Sequence, residues 1–152
     1  MSSIKGVFFD LDGVLVEAKL IHYDALNEAL PEGYEISWKD HLSIYDGLKT
    51  NQKLEMLHER QGLSKSVFQD IWNIKQELTQ EKLKSLNRSG ELQRVFQSLR
   101  DRGIKVAVCS NSIRATVVTV LSKLGIIELV DLFISNEDVS NSKPHPEMYW
   151  KA

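Results

Sequence analysis

Cysteine is nearly absent from this sequence. Cys109 is the only one in 152 residues, which excludes an internal disulfide and any zinc or iron–sulfur site built on several cysteines. A reducing, cytoplasmic setting fits that usage. Long apolar runs are missing as well: no stretch approaches the roughly 20 residues that cross a bilayer, and the opening MSSIKG lacks the apolar segment of a signal peptide. Nor is there an excess of positive charge. Lys and Arg number 19 against 21 Asp and Glu, for a net charge of -2, and they are scattered without basic–aromatic interleaving, so a nucleic-acid surface is not expected. Internal repeats and low-complexity tracts are absent too.

What is present suits a globular protein. Hydrophobic residues make up 42% and charged residues 26%, near the averages for folded domains, and the length suits one domain or a compact core with one insertion. The stretch Val7 to Val16, VFFDLDGVLV, organises the rest. Ile4, Val7, Phe8 and Phe9 predict a strand buried on both faces, as in a parallel sheet. Asp10 and Asp12 then flank Leu11, with Gly13 next. Asp-Gly alone reads as a turn, but Asp10 directly after a buried run must be solvated, paired or metal-bound.

Apolar spacing predicts a helix over Lys19 to Leu30, stopped at Pro31-Glu32-Gly33. Ser37 and Asp40 resemble a capping box, Thr50 is read as the cap of the next helix, and Gly62 closes it. Ser64 is read as the cap of a long helix whose stripe is Val67, Ile71, Ile74 and Leu78, widened by Phe68 and Trp72. So much helix after one strand exceeds the crossover of a β-α-β unit and predicts a separate helical subdomain, 17–87. From Glu91 helix and strand alternate: a helix to Gly103, a strand Ile104 to Cys109, a helix to Gly125, a strand Leu132 to Ser135, and a helix entered at Pro146. That rhythm predicts a parallel α/β core over 1–16 and 88–152.

At the carboxyl ends of parallel strands, distant residues converge. Asp10, Asp12, Ser110 with the turn at Asn111, and Lys143 would then be neighbours, describing a site for a phosphate and a divalent cation. One carboxylate can serve as nucleophile, the other as acid and base; Ser110, Asn111 and the turn amides would hold phosphoryl oxygens, and Lys143 would offset charge.

DLDGVL, SNS and KPHPE, in this order and on these elements, resemble the haloacid dehalogenase superfamily, and the helical insertion resembles its type 1 cap in the phosphoglycolate phosphatase and β-phosphoglucomutase branch. The resemblance implies a Rossmann-like core and Mg²⁺-dependent hydrolysis of a small phosphorylated metabolite. It assigns Asp10 as nucleophile and metal ligand, Asp12 as general acid/base and backbone metal ligand, Ser110 as the phosphate-binding hydroxyl and Lys143 as the neutralising lysine. Gly47-Leu48-Lys49-Thr50 resembles the substrate-specificity loop, with Lys49 or Lys53 as candidate contacts or else solvated lysines. Thr50 stands where the mutases carry arginine, which counts against a sugar-phosphate mutase.

The family's fourth, acidic motif is not found before Ala152. The chain is therefore expected to be a C-terminally truncated core, with an inactive fragment or binding module as the competing reading, and an unpaired first-strand edge that invites self-association. Glu137 and Asp138 are weaker candidate metal ligands, expected rather in a solvated loop. His22 matches a cap-hinge histidine but reads as helix surface, Cys109 as core, and Trp38, Trp72 and Trp150 as packing residues.

Overall fold

In the computed structural model, residues 4–152 are described. Met1 to Ser3, half of the MSSIKG opening, lie outside the described residues, and so does what was read from them. The chain divides into two compact units, one running to Glu17 and resuming over Lys84–Ala152, the other Ala18–Leu83. Among the described residues no helix is long and apolar enough to cross a membrane.

The first unit is α/β. Strands β1 (Gly6–Phe9), β2 (Lys105–Cys109) and β3 (Leu132–Ile134) form a parallel sheet in the order β1-β2-β3. Phe9 lies opposite Val108, and Cys109 opposite Ile134, so the three carboxyl ends are level. The central strand is buried from Val106 to Cys109, as its unbroken VAVC run requires. β1 differs from expectation. It pairs only with β2 among the described residues, and Phe8 is 49% exposed, so the face that carries Phe8 is only partly covered. Phe9 does turn inward, stacking on Phe96 at 4.9 Å.

Phe96 belongs to α5 (Gly90–Asp101). The Ser89 hydroxyl starts that helix by accepting from the Leu92 N–H at 3.2 Å, a cap worth about 1 kcal/mol. Helix α6 (Arg114–Leu124) follows β2, buries Val117, Val120 and Leu121, and ends at Gly125 with φ 74°, the left-handed conformation that glycine adopts without strain. The short α7 (Glu147–Lys151) places Met148 against Cys109 and Ile134. Trp150, by contrast, is 73% exposed and meets the His145 ring edge-on at 5.6 Å.

The second unit is helical: α1 (Lys19–Ala29), α2 (Trp38–Asp40) running into a π-helical turn over His41–Tyr45, α3 (Thr50–Gln61) and α4 (Phe68–Leu83). Leu26, Leu30, Tyr45, Leu54, Leu57 and Ile71 form its core, each truncation to alanine of a leucine there costing about 2–5 kcal/mol. Ser37 caps α2 as expected, accepting from the Asp40 N–H at 3.1 Å. Thr50 does not cap α3: Lys49 holds that position, its N–H donating to Gln52 Oε1 at 3.0 Å. Ser64 caps a 3₁₀ turn, Lys65–Val67, that precedes α4. The stripe of α4 is also rotated, because the buried row is Ile71, Lys75, Thr79 and Leu83 while Ile74 is 45% exposed. Two polar residues on that row hid it from an apolar count; the Thr79 hydroxyl is satisfied within the helix by the Lys75 carbonyl at 2.8 Å.

Candidate functional site

Four chain segments meet at the carboxyl ends of the strands. Asp10 leaves β1, and its Oδ1 accepts the Leu11 N–H at 2.7 Å. The chain then turns at Gly13, φ 79°, closed by Gly13 N–H to the Val16 carbonyl at 2.8 Å and Leu15 N–H to the Leu11 carbonyl at 2.9 Å. This turn sets Asp12 back toward the end of β2, where the Ser112 hydroxyl donates to Asp12 Oδ2 at 3.0 Å.

Ser110 begins the turn after β2. It is fully buried, its N–H donates to the Ile134 carbonyl of β3 at 2.9 Å, and its hydroxyl oxygen accepts the Ser112 N–H at 3.0 Å. Its hydroxyl proton is still available to another acceptor. The Asn111 side chain pairs with the backbone of Lys143, Nδ2 donating to the carbonyl at 3.1 Å and Oδ1 accepting the N–H at 3.0 Å. Lys143 in turn sends its ammonium to Asp10 Oδ1 at 2.7 Å and to the Cys109 carbonyl at 3.0 Å. Its side chain is 17% exposed and that of Asp10 42%, so the pair is screened from water on the lysine side and open on the carboxylate side. Burial pushes the Cys109 thiol up, against the nearby Lys143 charge, so Cys109 is a core residue rather than a nucleophile.

The structure thus brings together Asp10, Asp12, Ser110, Asn111 and Lys143 in one unit. Lys49 belongs to the other unit, half-buried at the start of α3. Lys53 is buried at 7% exposure, not a solvated lysine, and His22 Nδ1 lies 3.4 Å from the Lys75 ammonium within the helical unit. Ser112 and Lys75 were not singled out in the sequence. The signal for Ser112 was its place as the second hydroxyl of the SNS turn; for Lys75 it was a lysine at i+4 from Ile71.

Glu137 and Asp138 are committed elsewhere. Asp138 accepts from the Ser135 N–H and hydroxyl at 2.8 and 2.6 Å and is ion-paired with Arg114, while Glu137 accepts the Arg114 N–H at 2.5 Å. Burial would raise the Asp138 carboxyl, but the Ser135 and Arg114 interactions outweigh it and hold it below the usual range. These acids brace β3 to the start of α6. The oxygen donors of Asp10 and Asp12 are the class that a hard cation takes, and Mg²⁺ is commonly held by one or two carboxylates plus water and phosphate oxygens. Among the described residues no third His, Cys, Asp or Glu joins them.

The profile of the family described as haloacid dehalogenase-like hydrolase matches residues 7–152. A haloacid dehalogenase-like hydrolase domain-containing protein of Arabidopsis thaliana is 25% identical, with 100% of this chain and 58% of that protein covered. The pyrophosphatase PpaX of Bacillus pumilus is 27% identical, over 96% of this chain and 66% of its own length. This chain therefore spans less than two thirds of either relative. Among solved structures, CbbY of Rhodobacter sphaeroides in complex with phosphate superposes with TM-score 0.84 at 19% identity, covering 99% of this chain and 71% of that one, a likeness of fold. With the family profile running from β1 to the last helix, the chain belongs to the haloacid dehalogenase-like hydrolase family.

Proposed function

We propose that this chain carries the machinery of a phosphohydrolase that cleaves a small phosphate monoester through an aspartyl-phosphate on Asp10. The observation that carries the reading is the 2.7 Å pairing of Lys143 with one oxygen of Asp10, on a carboxylate whose other side is open. The Leu11 N–H and the Lys143 ammonium both bond Oδ1, so Oδ2 is the atom assigned to attack phosphorus. As the P–O bond to the leaving group breaks, the alkoxide takes a proton from the Asp12 carboxyl. Water then attacks phosphorus, Asp12 accepts its proton, and the Asp10 carboxylate is released with inorganic phosphate.

Lys143 offsets charge on Asp10 and on the phosphoryl oxygens, and the Ser110 hydroxyl donates to one of them. Asp10 and the backbone carbonyl of Asp12 would hold Mg²⁺, which when bound supplies further neutralisation of the phosphoryl charge. Lys49 is the substrate contact assigned to the helical unit. The outer edge of β1, with Phe8 exposed, supports self-association; concentration-dependent sedimentation that Phe8→Lys suppresses is the expected result.

A second reading, a phosphate-binding module without turnover, is favoured by the absence of a third acidic, histidine or cysteine ligand among the described residues. Phosphate release from an aryl phosphate, with and without Mg²⁺, decides between them. Metal-dependent release that Asp10→Asn abolishes supports the hydrolase. Phosphate binding with no release above Asp10→Asn supports the module.

A further inference from the structure

We propose that Asn111 is a positioning residue that locks Lys143 onto Asp10. A lysine side chain is long and freely rotating, and a loop that carries one without a backbone anchor leaves its ammonium to wander. Here Lys143 is fixed at both ends. Its ammonium is held by Asp10 and the Cys109 carbonyl, and its backbone is held by the carboxamide of Asn111, which donates to its carbonyl and accepts from its N–H. Only a side chain offering donor and acceptor side by side makes both bonds; aspartate lacks the donor and serine the reach.

The clamp is itself anchored. Asn136 Nδ2 donates to the Asn111 carbonyl at 2.9 Å, and Asn136 N–H to the Ser112 carbonyl at 3.1 Å, tying the turn after β2 to the segment after β3. The rest of the Lys143 loop is bound downstream, with the Ser140 and Asn141 N–H groups on Glu147 at 2.9 and 2.8 Å. Among the interactions that reach the Lys143 backbone, those from Asn111 are the ones that come from a strand end. Asn111 was expected to hold phosphate; its carbonyl oxygen and an N–H are turned to Lys143, and the role proposed for this side chain is exerted through the lysine.

The catalytic part of this proposal rests on the phosphohydrolase reading, whereas the clamp does not. Two measurements on Asn111→Ala separate them. Hydrogen exchange of the Lys143 amide, followed by NMR, is expected to quicken by about tenfold or more with the β2 amides unchanged. Asn111→Leu, which removes both bonds at similar size, is expected to show the same quickening and serves if the alanine variant folds poorly, while Asn111→Asp, which keeps the acceptor, is expected to retain most of the protection. In a double-mutant cycle with Lys143→Met, Asn111→Ala is expected to lower kcat about tenfold when Lys143 is present and less than about twofold when it is not. Unchanged exchange at Lys143, or an equal loss in both backgrounds, overturns the proposal. A wild-type chain that releases no phosphate overturns the hydrolase reading, and the exchange measurement then decides the clamp alone.

Discussion

Asp10 and Asp12 stand two positions apart and have different partners. Lys143 pairs with Asp10, which offsets the charge of the nucleophile, and a hydroxyl meets Asp12, which can orient a carboxyl for proton transfer. Ser112→Ala is therefore expected to lower kcat/KM for an alkyl phosphate by about tenfold to a hundredfold, because that leaving group needs a well-placed proton. An activated aryl phosphate should be nearly unaffected, and Ser112→Thr should restore the alkyl rate; an equal loss for both esters would remove Ser112 from this role. The residue types were legible because Asp10, Asp12 and Ser110 stand at or just past strand ends, where carboxylates and a hydroxyl are costly without partners, and Lys143 stands in the loop ahead of the last helix. Which partner each takes was not, since Asn111 finds Lys143 across 32 positions and Ser112 finds Asp12 across 100.

Elements with local signals were legible nearly to the residue. Gly62 ends α3 with φ 77°, and nothing lies within 4 Å of where a Cβ would stand, so Gly62→Ala meets backbone strain alone. A loss of about 1 kcal/mol is expected, read as a lower urea midpoint with an unchanged slope; no shift would mean that the helix end relaxes freely. The elements that misled were those set by tertiary surroundings. β1 is half-exposed because the face that carries Phe8 is only partly covered, and α4 buries Lys75 and Thr79 on a face that hydropathy would leave in water. The cap of α3 moved by one residue because Gln52 could reach the Lys49 N–H, a choice that Ser/Thr preference alone does not reveal.

At the scale of the molecule, an α/β unit interrupted by a helical one has one source of pH sensitivity in His41 of the helical part. His41 is 2% exposed, stacked on Trp38 at 5.3 Å, and neither ring nitrogen has a hydrogen-bond partner among the described residues. Burial, then the Lys53 charge, lowers it from 6.5 to about 4, against the pull of Asp46 and with smaller contributions from His22 and Lys19. The unfolded chain therefore binds the proton first as pH falls, and stability present above pH 6.5 is lost toward pH 4, by up to about 3 kcal/mol. Urea unfolding across that window should show the loss, and His41→Phe should flatten it; an unchanged slope would place the sensitivity elsewhere. The central claim, that Asp10 carries the phosphoryl group, is tested most directly by quenching turnover of an aryl phosphate with borohydride and sequencing the peptide that holds Asp10. Reduction of Asp10 to homoserine, seen only with substrate present, is the predicted result. Phosphate release with Asp10 unmodified under the same quench would contradict it.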